Sequence, residues 1–136
     1  MSKSILVSIH PIHVENILSG NKVFEYRRVV PIHKINNMVI YSTKPVNKIV
    51  AVAEVSDYIQ GSLDDVWRKT KKGSGISSDY YYSYFTNKTI ASALSIEKVR
   101  RLSCYINLSD LSRPIKAPQS FLYLNEIDLS IITKYY

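Results

Sequence analysis

Apolar positions fall in short runs punctuated by turn residues, and the spacing changes from strand-like to helix-like along the chain. "SILVSI" (residues 4–9) is an apolar run of strand length. His10-Pro11 predicts a helix start, with Pro11 in the first turn, where its missing N–H costs little. Val14, Ile17 and Leu18 then repeat at the i, i+3, i+4 spacing of a buried stripe, and Gly20 ends the helix. "GNKVFEYRR" (20–28) predicts a strand, since Val23, Phe24 and Tyr26 suit a pleated surface and Gly20-Asn21 supplies a turn before them. "MVIYSTKP" (38–45) predicts a third strand closed by Pro45. "KIVAVAEVSDYI" (48–59) predicts a long fourth, whose Ala51 and Ala53 imply close packing against something bulky.

Ser62 followed by Asp65 approximates a capping box, and Leu63, Val66 and Trp67 would form the buried face of the helix it starts. "KTKKGSGISS" (69–78) is a charged Gly/Ser-rich loop, read as the most mobile segment. A second short helix is expected from Ser77 or Ser78, with Tyr81, Tyr84 and Phe85 along one side. "TIASALSI" (89–96) predicts another strand, and "LSDLSRPI" (108–115) a helical turn stopped by Pro114. "APQSFLYLN" (117–125) reads as extended, turning helical near Leu122. Strands and helices do not alternate as in a doubly wound fold. The pattern predicts an α+β protein, a small barrel flanked by helices. With no internal repeat and no long linker, residues 1–136 read as one domain.

A hydrophobic share of 46% against 21% charged residues is that of a globular chain and excludes disorder. No apolar run approaches the roughly 20 residues of a membrane span, and the N-terminus lacks a small-residue cleavage site, so no membrane partner or signal peptide is expected. The single cysteine, Cys104, permits no internal disulfide and argues against a cysteine-built metal site. It is expected to be a buried small hydrophobe, and a reducing, cytoplasmic setting fits. A net charge of +7 shifts attention to polyanions, RNA or DNA above all. Eleven tyrosines, against three phenylalanines and one tryptophan, add stacking faces with hydrogen-bonding tips.

The charges within "GNKVFEYRR" need an explanation. Period two places Glu25 and Arg27 on one strand face and Lys22 on the other. Either this is a solvated, ion-paired edge strand, or it is a polar site on a barrel wall, in which case Lys22 must precede the regular strand or sit at a bulge.

"SIHPIHVENILSGNKVFEYRR" followed by "VIYSTKPVNKIVAVAEV" resembles the ASCH domain, of the PUA-like superfamily. Its pattern is a strand running into "xxPxxxxxIxxGxKxxExR", then "YxTxP", then "hhGxhxV". "LDDVW", "YYYSYF" and "PQSFLYL" resemble a bacterial and phage subfamily, and the likeness spans residues 4–124. The resemblance implies a PUA-like open β-barrel of about five or six strands flanked by short helices, with a cleft similar to an RNA-binding groove. The family's lysine, acid and arginine line that cleft and fall here on Lys22, Glu25 and Arg27.

Some ASCH members are amidohydrolases of N4-acylated cytidine nucleosides, using a lysine and a threonine in "GxKTxTxR" and a glutamate from the helical insert. Here Glu25 stands at the threonine position, and the insert's only acid is Asp79. Others are ribonucleases with a lysine, a tyrosine and a serine in the cleft; Tyr41, Ser42 and Thr43 are candidate hydroxyl groups here. The reading is therefore an RNA-, nucleotide- or nucleoside-binding protein, with a small hydrolase as the alternative, in which Lys22 and Glu25 would be catalytic. Glu25 is expected to hold Lys22 protonated, which favours binding over catalysis. Lys71 and Lys72 are expected to contact phosphates, and Tyr84 of the aromatic helix to stack on a base. His10, His13 and His33 read as cap or surface residues; no metal and no cofactor are expected. Arg100-Arg101 reads as a solvated face.

Overall fold

The computed structural model describes residues 3–136. In chain order the elements are β1 (Lys3–Ile9), α1 (Pro11–Leu18), β2 (Phe24–Arg27), β3 (Ile35–Ser42), β4 (Lys48–Ser62), α2 (Leu63–Thr70), α3 (Ser78–Tyr84), β5 (Ile90–Ile106), β6 (Phe121–Leu124) and α4 (Glu126–Thr133). The strands form one open sheet in the order β2-β5-β4-β3-β1-β6. β1 and β3 run parallel, with α1 following β1, and the other neighbours are antiparallel. Register shifts interrupt the β4–β5 ladder at several points. Such irregularities bend and twist a long hairpin, so the sheet curves without closing.

Alternation along β1 sends Ile5, Val7 and Ile9 to one core cluster and Leu6 to another. The first cluster gathers Met38, Ile40, Ala51, Ala53 and Leu94 with Val14 and Ile17 of α1. The small Ala51 and Ala53 let these larger side chains approach the sheet. Completely burying a residue such as Ile17 stabilises by about 1.5–3 kcal/mol, which seats α1 against the sheet beside the end of β1. The second cluster takes Val39, Tyr41, Val52, Leu102 and Ile132 of α4. In the third, α2 and α3 pack Val66, Tyr81 and Phe85 on Tyr26, Ala91 and Ala93. The aromatic helix thus lies directly over β2.

Several expectations need correction. Residues 117–125 do not turn helical near Leu122. Phe121–Leu124 pairs with β1 as an antiparallel edge strand, and the helix begins only at Glu126. Asn125 caps it by accepting from Asp128 N. β5 runs well past Ile96, because its second half continues the ladder with β4. Cys104 is exposed, on the solvent side of that extension. No helix among the described residues is long and apolar enough to cross a membrane.

Candidate functional site

The end of β1, the start of α1, the approach to β2 and α3 enclose a cavity of about 150 Å³. Its walls include Ser8, His13, Lys22, Glu25, Arg27 and Tyr84, with Ile9, Tyr26, Ile76 and Tyr80 as flatter apolar surfaces. Lys22 lies ahead of β2, and its backbone N–H donates to Asn16 O at 2.9 Å. This position frees it from strict strand alternation and lets it share a cavity with Glu25 and Arg27.

The segment after α2 folds over Lys22. Val23 N donates to Gly73 O at 2.8 Å, and Lys22 Nζ donates to Ser74 O at 2.8 Å. The ammonium also sits over the Tyr26 ring, 4.8 Å from its centroid. Gly75 allows this closeness. It has φ +68°, and a Cβ there would lie 2.7 Å from Lys22 Cβ. Tyr26 in turn donates from its hydroxyl to Thr70 Oγ1 at 2.7 Å, tying β2 to α2. Of residues 69–78, read as a loop, Lys69 and Thr70 end α2, Lys71–Gly73 form a short helical turn, and Ser74–Ile76 lie against Lys22.

Glu25 Oε2 lies 3.2 Å from Arg27 Nε, and both side chains are about nine-tenths buried. The contact is an ion pair by distance, but the Nε–H is not aimed along a hydrogen bond. Arg27 Nη2 donates to Ser8 O at 3.0 Å. Among the described residues, the buried side-chain polar atoms without a hydrogen-bond partner are Ser8 Oγ, His13 Nδ1 and Arg27 Nε. All three belong to residues lining this one cavity. Buried polar atoms are ordinarily satisfied; Arg27 Nε has the Glu25 carboxylate beside it, whereas Ser8 Oγ and His13 Nδ1 have no protein partner.

Burial pushes the Lys22 ammonium below the ordinary lysine range; Glu25 pulls the other way and Arg27 adds to the lowering. Desolvation is the larger influence, and the carboxylate of Glu25 offsets part of it in favour of the ammonium form. His13 is also lowered, by burial first and then by Lys22, against a smaller opposing pull from Glu25. Its Nδ1 is buried without a partner among the described residues, while its Nε2 meets the Tyr80 hydroxyl at 3.2 Å. Tyr84 is raised by burial. Its ring carries the Arg28 guanidinium at 4.2 Å, and its carbonyl accepts from Arg28 Nε.

Of the residues singled out in the sequence, Lys22, Glu25, Arg27 and Tyr84 line the cavity. Tyr41 does not; it packs in the second core cluster with its hydroxyl 3.5 Å from Asn47 Oδ1. Ser42 is buried, and Thr43 N donates to Ile9 O, so this segment flanks the end of β1 without lining the cavity. Lys71 and Lys72 are exposed on the turn that leads into Ser74. Asp79 is exposed and outside the cavity. Ser8 is an addition that the sequence does not announce, His13, read there as a cap or surface residue, also lines the cavity, and so does Tyr80 of the aromatic cluster 80–85, which the sequence marks equally as helix core or as a stacking platform. For His13 a signal existed: it lies four residues before Ile17, at the border of the buried stripe of α1. His10 caps α1 by accepting from Ile12 N. Among the described residues no cluster of His, Cys, Asp and Glu is arranged to hold a metal ion.

No family model matches this sequence. It is 27% identical over 127 residues to the ASCH domain-containing ribonuclease of Zymomonas mobilis, covering 91% of this chain and 86% of that protein. It is 30% identical over 128 residues to the large ribosomal subunit protein uL22 of Ureaplasma parvum, but there it spans only 40% of the relative's length. The crystal structure of the ASCH protein from Zymomonas mobilis superposes with a TM-score of 0.90 at 24% identity, over 97% of this chain and 94% of that one.

Proposed function

We propose that this chain is an ASCH domain protein that binds single-stranded RNA by seating one base in the cavity of Lys22, Glu25 and Arg27. The observation that carries this reading is the gathering of Lys22, Glu25 and Arg27 with two residues that hold unpartnered buried polar atoms, Ser8 (Oγ) and His13 (Nδ1), around one small cavity. Lys22 and Arg27 supply charge-assisted donors, and Glu25 supplies acceptors for exocyclic amino groups. Tyr84 lines the wall beside them, with one ring face held by Arg28. Exposed Lys71 and Lys72 stand on the same wall segment and would meet phosphates as the strand leaves. RNA is the relevant polyanion because the relative from Zymomonas mobilis is a ribonuclease. The cytoplasm, where RNA is encountered in a reducing medium, is the proposed setting.

A second reading, RNA cleavage, has an observation of its own. His13 is lowered and has a free nitrogen beside Lys22, itself lowered by burial. A neutral imidazole can accept a proton from an attacking hydroxyl while an ammonium steadies the developing negative charge. Deacylation of cytidines has less support, since the cavity wall holds no carboxylate besides Glu25.

The test is titration of a short single-stranded RNA by fluorescence anisotropy, with the same mixtures run on a gel to detect cutting. Lys22→Ala is the paired variant, checked for folding by thermal melting. Binding without cutting, weakened by about 1.5–3 kcal/mol in Lys22→Ala, is expected, the worth of a hydrogen bond to a charged group. Cutting by the native chain that disappears in Lys22→Ala would replace the binding reading with the ribonuclease one.

A further inference from the structure

A second cavity of about 340 Å³ opens between α1 and residues 75–77. It shares His10, His13, Ile76 and Tyr80 with the charged cavity, so the two are neighbours with a common wall. That wall is the contact between His13 Nε2 and the Tyr80 hydroxyl at 3.2 Å, with the two rings edge-on and 5.3 Å apart. The chemistry changes across it. The first chamber holds an ammonium, a guanidinium and a carboxylate, whereas no Lys, Arg, Asp or Glu lines the second. A chamber without fixed charge gives a phosphate no counter-charge and leaves a neutral, flat group unopposed.

We propose that this second chamber is a subsite for the base of the adjacent nucleotide on the same RNA strand, stacked on Tyr80. The inference rests on the RNA-binding reading of the first cavity. Two large side chains at the second chamber are left open to solvent, Ile12 at 62% and Tyr80 at 49% exposure. Covering an aromatic ring and an aliphatic side chain together is what a nucleobase does well, because every base has a π-face and an apolar body. The volume lies within the range of small-molecule sites and exceeds that of the first chamber, leaving room for a base with part of its sugar. His10 and Asn16 add hydrogen-bonding groups at the rim. His10 uses Nδ1 to accept from Ile12 N, which leaves Nε2 for a ligand.

The test compares a dinucleotide with its two abasic analogues, which keep every phosphate and lose one base. Affinities are measured for the native chain, Tyr80→Phe and Tyr80→Ala. At one position, removing the base should weaken the native chain and Tyr80→Phe by about fivefold or more, from the low end of base–aromatic stacking upward. In Tyr80→Ala the same removal should matter less than about twofold. Ile12→Ser, on an exposed side chain of the same chamber, is a second variant that should also shrink the effect. Equal abasic losses in all four proteins at both positions would overturn the subsite and leave the first cavity's reading intact. Failure of the native chain to bind the intact dinucleotide would overturn both.

Discussion

His13 sits with a hydroxyl at one ring nitrogen, no partner at the other, and Lys22, Glu25 and His10 as its charged or titratable surroundings. Burial and the Lys22 ammonium disfavour its imidazolium form more than Glu25 favours it. The unfolded chain, with an ordinary histidine near 6.5, therefore takes up a proton at higher pH than the folded one. The neutral form's contribution to stability is complete above about pH 6.5 and is lost as pH falls through that value toward the lowered folded one. Urea unfolding at pH 7.5 and pH 5.5 should show a larger loss for the native chain than for His13→Gln. Equal losses would mean that His13 is freely protonated in the fold. At this scale the sequence displayed the types and spacing of Lys22, Glu25 and Arg27, because a motif on one short segment is local. That Ser8 and Tyr80 share a cavity with them was not legible, since the two meet only through packing of β1 and α3 from distant parts of the chain.

Residues 71–77, rich in glycine and lysine, make more internal contacts than their composition suggests. Their backbone carbonyls are spent on Val23 N and Lys22 Nζ, so the polarity that suggested solvent is used internally. Gly75→Ala should therefore act on the site and not merely on a loop. The new methyl group meets Lys22 at an unsuitable φ, and strain of this kind costs about 1–3 kcal/mol. A fall in melting temperature together with weaker RNA binding is expected. A variant as stable and as tight as the native chain would show that the segment swings clear of Lys22. Elements with a clean period, such as α1 and the central strands, could be read directly. α4 could not: its apolar residues, Ile127, Leu129, Ile131 and Ile132, follow no single face, and Ile127 is exposed while Ile132 is buried. Its cap, Asn125 with Asp128, was the available signal. β6 was equally hard to place, being a short edge strand fixed by its pairing with β1.

Charge works over the whole molecule, and here it separates the cavity from the surface around it. A chain with net charge +7 attracts any polyanion through counterion release, whatever its cavity recognises. Inside the cavity the charges largely offset: the ammonium of Lys22 and the guanidinium of Arg27 face Glu25, an excess of about one positive charge. Affinity from the cavity should depend little on salt, and affinity from exposed lysines should depend on it strongly. The logarithm of the RNA affinity should fall linearly with the logarithm of salt concentration, with a slope of about −0.7 for each phosphate neutralised on a single strand. Lys71→Ala with Lys72→Ala should make that slope shallower by about 0.7–1.4 without lowering the melting temperature, because both side chains are exposed. Lys22→Ala should weaken binding at every salt concentration and leave the slope almost unchanged, since its ammonium is directed to Ser74 O and the cavity. If the Lys22 variant flattened the slope and the double variant did not, the phosphate would lie inside the cavity. The division of labour proposed between cavity and wall would then be reversed.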